Sequence, residues 1–306
     1  MSVPALHLES EMKQRLDAGF AAAFGAQPQR YFSAPGRTEI GGNHTDHQRG
    51  RVLAAAVNLD TVAAVAVNGT STIRILSKGY PLSVVDITEL TPVEDEINST
   101  PALIRGVVAR FAQLGCKVEG FDAYCEATVL PGSGLSSSAA YEVLIGTIVN
   151  HLFFQGRVSQ PEIAQIGQYA ENVFFGKPCG LMDQTASAVG NLVTIDFFDK
   201  EKPVIKPENF EFDSCGHALC IIDSGADHAD LTVEYAAITL ELRPSAPTSA
   251  RVSSPRSTKL TSMPPSPPCA RNAATGLCSG PPTSSGRTTG CPSRWLPWKP
   301  AILIPS

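Results

Sequence analysis

One segment of the chain, Leu130-Pro-Gly-Ser-Gly-Leu-Ser-Ser-Ser-Ala-Ala140, combines two glycines with three consecutive serines. A β-rich run over Phe121–Val129 predicts a strand before this segment, and the pattern over Ser136–Phe153 predicts a helix after it. Glycine lets a backbone pass close to a ligand. The first turn of a helix has N–H groups without internal partners and attracts anions. The segment therefore predicts a phosphate-binding loop, whose serine hydroxyls add donors and an oxygen ligand for Mg²⁺.

Other glycine-rich signatures do not match this loop. It lacks the Gly-Lys-Ser/Thr ending of a Walker A loop and the third glycine of a dinucleotide-binding fingerprint. It is also not a Gly-x-Ser-x-Gly nucleophile elbow. The structural alternative is a glycine turn followed by a helix with a serine cap. Because one cap needs only one hydroxyl, three consecutive serines favour the phosphate site.

A second polar segment, residues 34–47, is dense in groups that bind sugars, and we expect it to form a long loop. His44 and Asp46 can hydrogen-bond adjacent hydroxyls of a small polyol, and Arg37 supplies a fixed cation for a phosphate. The alternative is a loop held by its own Asx turns and an Arg–Asp pair. The His-Thr-Asp-His sequence is weak as a metal site, because its closely spaced pairs have no third ligand.

A third segment, residues 176–190, contains a single carboxylate, Asp183, in a mostly uncharged run. A carboxylate in such a place is a candidate to accept a hydrogen bond from a substrate hydroxyl. The structural alternative is a helix-capping aspartate.

Together the three segments resemble the galactokinases of the GHMP small-molecule kinase superfamily. Residues 35–46 are similar to the galactokinase sugar signature, residues 130–140 to the superfamily ATP loop, and residues 176–184 to the segment with the catalytic aspartate. The resemblance runs from about residue 30 to about residue 238. It implies an α+β fold, with an N-terminal domain like domain 2 of ribosomal protein S5 and a ferredoxin-like C-terminal domain.

The resemblance also implies an activity, the ATP-dependent phosphorylation of galactose at its C1 hydroxyl, with Mg²⁺. Asp183 matches the aspartate that orients or deprotonates that hydroxyl, and Arg37 matches the arginine beside it and the transferred phosphate. The remaining matches are ATP contacts at Gly132, Ser133, Gly134, Leu135, Ser136, Ser137 and Ser138, sugar contacts at Asn43, His44, Asp46, Gly180 and Tyr235, and Mg²⁺ ligands at Ser138 and Glu171.

Two departures from the family pattern leave alternatives open. Asn43 stands where galactokinases commonly have a sugar-contacting glutamate, so a related sugar such as galacturonate is a second candidate substrate. The C-terminal glycine-rich motif of the family is missing. A catalytically dead sugar sensor is a third possibility, although the intact Ser138-Ala139 step favours an enzyme, and a gene product without a stable fold is a fourth.

Composition changes abruptly near residue 240. Residues 240–306 hold 13 of the 24 prolines and eight Lys or Arg against one acid, a net charge of +7. The whole chain carries −5, so residues 1–239 carry −12. We expect an N-terminal domain over 1–215, the start of a C-terminal domain over 216–239, and a disordered tail over 240–306. An out-of-frame translation is our preferred hypothesis for the tail, over a basic nucleic-acid-binding arm.

Bulk properties predict a cytoplasmic protein without a transmembrane segment, and the resemblance implies a small sugar as its partner. We expect a monomer that binds neither membrane nor nucleic acid. No apolar run is long enough to span a membrane, and residues 1–24 are amphipathic rather than a signal peptide. The five cysteines before the tail show no metal spacing and predict reduced thiols. These are Cys116, Cys125, Cys179, Cys215 and Cys220.

Apolar periodicity predicts the remaining elements. Helices are expected over Glu9–Phe24, Pro101–Leu114 and Pro161–Asn172, and strands over Arg30–Ser33, Val52–Asn58, Asp60–Asn68, Thr72–Leu76, Ser83–Ile87, Asn191–Phe197 and Ala218–Asp223.

Overall fold

Five α-helices and eight strands are found in the part of the chain that the computed structural model describes, residues 10–129, 132–210 and 302–304. The helices are α1 Ser10–Phe24, α2 Thr100–Gln113, α3 Ser137–Phe153, α4 Gln160–Tyr169 and α5 Met182–Val189, with a π-helical turn at Ala170–Phe175 and 3₁₀ turns at Thr45–Gln48 and Glu94–Glu96. The strands are β1 Arg30–Gly41, β2 Arg51–Val67, β3 Thr72–Ser77, β4 Ser83–Asp86, β5 Phe121–Ala127, β6 Leu192–Asp196, β7 Val204–Glu208 and β8 Ile302–Ile304.

The 17-residue strand β2 organises the sheet, whose main path is β4-β3-β5-β2-β1-β8. β1 pairs antiparallel along one edge of β2. On the other edge, the second half of β2 pairs with β5 and its first half pairs with β6, which in turn pairs with β7. β3 and β5 run parallel. The long strand therefore joins the sugar segment at β1 to the strand that leads into the glycine loop.

Both faces of the central strands are buried. Phe32 and Val65 belong to the large core cluster with side chains from α2 to α5, whereas Val62 and Ala64 on the other face pack with Leu16 and Phe20 of α1. This division follows from the period of two along a strand. It also explains why these strands read as nearly continuous apolar runs.

A glycine brings α2 against the π-helical turn. A Cβ added to Gly106 would lie 2.7 Å from the Cα of Ala170, so the two backbones approach closely only because this residue has no side chain. The turn carries Glu171, one of the expected metal ligands. Packing of α2 thus fixes the backbone at that carboxylate.

The structure corrects several boundaries that the sequence predicted. Residues 34–41 are not a loop, because β1 continues to Gly41 with register shifts at Pro35/Arg37 and Glu39/Gly41. The two strands predicted over 52–58 and 60–68 are the single strand β2. The helix predicted over 161–172 ends in the π-helical turn, and α3 begins one residue later than predicted. α5 and β7 were not predicted.

Some predictions lie outside the described residues. These are the strand over Ala218–Asp223, the sugar contact Tyr235, the thiols Cys215 and Cys220, the ferredoxin-like domain and all of the tail except 302–304. Residues 302–304 form β8 beside β1, and the disorder expected for the tail stays a prediction. The described cysteines form no disulfide. No helix within the described ranges is long and apolar enough to cross a membrane.

Candidate active site

The salt bridge between Arg37 and Asp183 is the centre of the site. Arg37 lies on β1, and Asp183 lies in the first turn of α5. Nε and Nη2 of Arg37 donate to Oδ1 and Oδ2 of Asp183, each at 2.7 Å, which is the bidentate geometry of a strong pair. Nη1 of Arg37 donates to the carbonyl oxygen of Gly134 at 2.8 Å. One guanidinium therefore joins β1, α5 and the glycine loop.

Asp183 is ionised but remains reachable. Burial alone would raise its pKa, but the charge of Arg37 and the hydrogen bonds from Arg37 and Ser136 together hold the pKa below its usual value. The side chain of Asp183 is 32% exposed, compared with 8% for Arg37. A substrate hydroxyl can therefore approach the carboxylate while the guanidinium stays enclosed.

The glycine loop has the backbone that the sequence predicted. Gly132 and Gly134 have φ angles of 73° and 74°, and Ser136, immediately before α3, has φ 56° and ψ 58°. Leu135 packs in a buried cluster with Val57 and Val129, together with the partly buried Leu59. Ser133 also belongs to the loop, and Ser137 and Ser138 form the first turn of α3.

Gly36 lets the sugar strand approach this loop. A Cβ at Gly36 would lie 3.0 Å from the carbonyl oxygen of Leu135, which also accepts the N–H of Arg37 at 3.1 Å. The hydroxyl of Ser136 donates to Oδ2 of Asp183. Of the three serines, Ser136 is therefore turned to the Asp183 carboxylate in this structure.

Two expected sugar contacts, Asp46 and Gly180, lie against each other. A Cβ at Gly180 would be only 1.6 Å from Oδ2 of Asp46, so any side chain at residue 180 would force Asp46 or its own segment to move. Asp46 accepts the N–H of His47 at 3.0 Å and lies 3.5 Å from the backbone nitrogen of Met182. The 3₁₀ turn with Asp46 is thereby held beside the residue that precedes Asp183.

Asn43 and His44 form a left-handed turn, with φ angles of 54° and 50°. Both side chains are exposed. The backbone N–H of His44 donates to the carboxylate of Glu39, 3.0 and 3.1 Å from its two oxygens. Sequence reasoning missed Glu39. The signal was available, because Glu39 follows Arg37 at the period-two spacing of a strand.

A second group of polar side chains is buried between the helices. Nε2 of Gln184 donates at 3.0 Å to Oε2 of Glu142 and at 3.0 Å to Oε2 of Glu171. Lys177 places its ammonium 3.6 Å from Oε1 of Glu171. Burial and the nearby Glu171 charge raise the pKa of Glu142 well above its usual value. Glu171 was expected from the family pattern, but Glu142 and Gln184 were not.

Two family models match the stretches of the chain that contain these residues. A galactokinase galactose-binding signature matches residues 18–67, and the GHMP kinase N-terminal domain matches residues 102–191. The galactokinase of Streptomyces coelicolor is 34% identical over 221 residues, which are 71% of this chain and 56% of that protein. The galactokinase of Bacillus subtilis is 34% identical over 201 residues, 62% of this chain and 50% of that protein.

The chain carries the galactose-binding signature of galactokinases and the N-terminal domain of GHMP kinases. The crystal structure of Lactococcus lactis galactokinase complexed with galactose is similar, with a TM-score of 0.57 and 27% identity over 63% of this chain and 51% of that one. Methanococcus jannaschii mevalonate kinase shares the fold, with a TM-score of 0.50 and 14% identity over 61% of this chain and 58% of that one.

The matched domain and the similar structures confirm the predicted α+β GHMP kinase fold for the N-terminal part of the chain. The galactose-binding signature includes Arg37, and the GHMP kinase N-terminal domain includes Glu142 and Asp183. The chain spans about half the length of the curated galactokinases that it matches.

Proposed function

We propose that this chain transfers the γ-phosphoryl group of ATP to the C1 hydroxyl of galactose. The observation that carries the proposal is the bidentate Arg37–Asp183 pair, which lies between the glycine loop and the Asp46–Gly180 contact. Phosphoryl transfer depends mainly on positioning and charge stabilisation, and this arrangement supplies both. The named galactokinase relatives and the galactose-complexed structure support galactose as the sugar.

Asp183 positions the attacking hydroxyl. Because its pKa is held below the usual value, the carboxylate is a weak base. It accepts a hydrogen bond from the sugar hydroxyl and does not itself become protonated. Arg37 cannot lose its charge and is fixed by three hydrogen-bonding contacts, so its guanidinium is preorganised to stabilise charge on the transferring group.

The loop Gly132–Ser138 would hold the ATP phosphates through its backbone N–H groups and the serine hydroxyls. Mg²⁺, when bound, neutralises phosphate charge. The donor chemistry fits this ion, because Glu171 offers a carboxylate oxygen on the side of Lys177 and Ser138 offers a hydroxyl. No group of three His, Cys, Asp or Glu converges among the described residues. Mg²⁺ sites commonly use one or two carboxylates with substrate phosphates and water.

The sugar would contact the Asp46–Gly180 region together with Asn43 and His44, and Tyr235 is a further expected contact. The left-handed φ of Asn43 gives a conformational reason for an asparagine at this position, because Asn tolerates this region better than Glu. Asn43 therefore does not by itself favour an acidic sugar. Neither galacturonate nor a dead sensor is favoured by the named relatives.

A direct assay tests the proposal. The full chain is incubated with ATP, Mg²⁺ and galactose, with galacturonate as the competing sugar, and galactose binding is measured separately by calorimetry. We expect galactose phosphorylation that falls by about 10²–10⁴-fold in Asp183→Asn, with galactose binding retained. Asp196→Asn is the matched control, because Asp196 pairs with Arg51 outside the site. A chain that neither binds nor phosphorylates galactose contradicts the proposal.

A further inference from the structure

Three buried polar side chains connect the helices that carry the site. Glu142 of α3, Glu171 of the π-helical turn and Gln184 of α5 are 0%, 4% and 1% exposed. Two carboxylates and an amide are costly to bury unless they are hydrogen-bonded to one another. Their arrangement is therefore specific rather than incidental packing.

Gln184 divides its amide between the two carboxylates. Its Nε2 donates to Oε2 of Glu142 and to Oε2 of Glu171, both at 3.0 Å. The other oxygen of Glu171, Oε1, lies 3.6 Å from the ammonium of Lys177, whose side chain is 38% exposed. The hydrogen bond from Gln184 thus holds one oxygen of Glu171 inside the protein and leaves the other facing the accessible side.

The packing around the amide is tight. A Cβ at Gly167 of α4 would lie 3.1 Å from Oε2 of Glu142 and 3.3 Å from Cγ of Gln184. The sulfur of Cys179 is 3.6 Å from Nε2 of Gln184. Since neighbours enclose it on several sides, the amide has little room to turn away from the two carboxylates.

We propose that Gln184 is a positioning residue that determines which oxygen of Glu171 is presented to the divalent cation of the bound nucleotide. The proposal rests on the proposed function, because the cation belongs to that reaction. Gln184 acts through Glu171, and Glu142 anchors the amide from the opposite side. Because Gln184 follows Asp183 directly on α5, the same helix sets the orientation of the catalytic carboxylate and of the metal-binding carboxylate.

The consequence is a selective loss of metal affinity. Gln184→Met keeps the length of the side chain but removes both donors, so Glu171 can rotate or turn toward Lys177. Partners that orient a metal-binding side chain typically change metal affinity by about 10–100-fold when they are removed. The glycine loop is not altered, so nucleotide binding without metal remains.

Mn²⁺ with ADP is the probe, and the full chain is used. Free Mn²⁺ is measured by electron paramagnetic resonance, and ADP binding in EDTA is measured by calorimetry. We expect Gln184→Met to weaken Mn²⁺ binding in the presence of ADP about tenfold and to leave ADP binding in EDTA within about twofold of the parent. Gln184→Asn, which keeps an amide but is too short to reach both carboxylates, is a milder second variant with the same expected direction.

Ser187→Ala is the matched control. Ser187 is another buried polar residue of α5, and its hydroxyl donates to the carbonyl oxygen of Pro35 at 2.7 Å. We expect it to lower the melting temperature as Gln184→Met does, without changing Mn²⁺ affinity. Glu171→Gln should remove most Mn²⁺ affinity, with no further loss when it is combined with Gln184→Met.

Three outcomes would overturn the positioning role. Mn²⁺ affinity that is unchanged in both Gln184 variants is one. The second is a loss of Mn²⁺ affinity in Ser187→Ala equal to that in Gln184→Met. The third is an equal loss of ADP binding in EDTA in Gln184→Met. Either would mean that Gln184 only stabilises the fold. A parent chain that does not bind Mn²⁺ with ADP would contradict the proposed function first, which separates that failure from a failure of the Gln184 variants alone.

Discussion

Gly180 and Asp46 lie closer together than any side chain at residue 180 would allow. The Cβ of Gly180→Ala would overlap Oδ2 of Asp46, so Asp46 or the segment before α5 has to move. We expect the free energy of unfolding to fall by about 1–3 kcal/mol, which lowers the melting temperature. We also expect galactose affinity to fall at least tenfold. Calorimetry with galactose and thermal unfolding measure the two effects.

Gly41→Ala is the control for this substitution. Gly41 lies in the same sugar segment, has no left-handed φ, and has no atom within 4 Å of an added Cβ. It should leave both stability and galactose affinity close to those of the parent. Equal behaviour of the two alanine variants would show that Gly180 has no special role at Asp46.

Asp183 and Glu142 should contribute to stability with opposite pH dependence. The folded pKa of Asp183 is below its unfolded value of about 3.9, so its contribution is present above that pH and is lost as the pH falls through the folded pKa. The folded pKa of Glu142 is raised, so its contribution is present below about pH 4.3 and is lost as the pH rises.

Urea unfolding between pH 3 and pH 7 measures this difference. The stability gap between the parent and Asp183→Asn should shrink as the pH falls below about 4. The advantage of the parent over Glu142→Gln should instead shrink as the pH rises from about 4. Two gaps that change in the same direction would contradict the assigned environments of the two carboxyl groups.

Individual residues of the candidate site could be predicted from the sequence where they belong to a recognisable motif. Arg37 and Asp183 were expected in one site because both match family positions, and the structure brings them to 2.7 Å. Glu142 and Gln184 were not expected. Each lies next to a motif residue that drew the functional interpretation, the serines of the glycine loop for Glu142 and Asp183 for Gln184. Only the packing of α3 against α5 brings the two side chains together.

At the scale of secondary structure, β1 shows why a polar segment was mistaken for a loop. Residues 34–41 contain glycines, a proline and charged side chains, which are weak strand formers. Pairing overrides this preference, because Arg37, Thr38 and Glu39 lie opposite three alanines of β2. Register shifts interrupt the regular pairing on both sides of these three residues, as expected where a strand carries a local irregularity.

The loop before α2 depends on one buried arginine. Arg105 is 6% exposed; it donates to both carboxylate oxygens of Glu96, at 2.7 and 2.8 Å, and to the carbonyl oxygens of Asp86 and Glu89. The same loop reaches the π-helical turn, since the N–H of Asn98 donates to the carbonyl oxygen of Phe175 at 3.0 Å. Arg105 therefore supports the backbone near Glu171 from a distance.

Arg105→Met should lower the free energy of unfolding by about 3 kcal/mol, because Glu96 and two carbonyl groups lose their donor. Arg110→Met on the same helix is the control. Arg110 makes a hydrogen bond to Gln113 and lies over the ring of Tyr169 near the surface, so the expected loss is below about 1 kcal/mol. Urea denaturation measures the free energy of unfolding of both variants. Similar losses would mean that the buried hydrogen bonds of Arg105 stabilise the fold no more than the surface contacts of Arg110.

At the scale of the whole molecule, the described residues contain candidate contacts for both of the proposed substrates. The galactose-binding signature and the GHMP kinase N-terminal domain match neighbouring parts of this chain, which spans about half the length of its curated relatives. Arg37 links the two parts directly, because it contacts both Asp183 and the glycine loop. Ligands on the two sides should therefore act on a single cooperative unit.

This connection predicts that galactose and Mg²⁺ with ADP stabilise the chain together. A ligand at about 100 times its Kd adds about 2.7 kcal/mol to the free energy of unfolding. We expect each ligand alone to raise the melting temperature, and both together to raise it by at least the sum of the two shifts. Glucose, which differs from galactose in one hydroxyl configuration, should give a smaller shift. A combined shift no larger than that of one ligand would mean that the sites exclude each other, and the absence of any galactose shift would mean that this chain lacks a working sugar site.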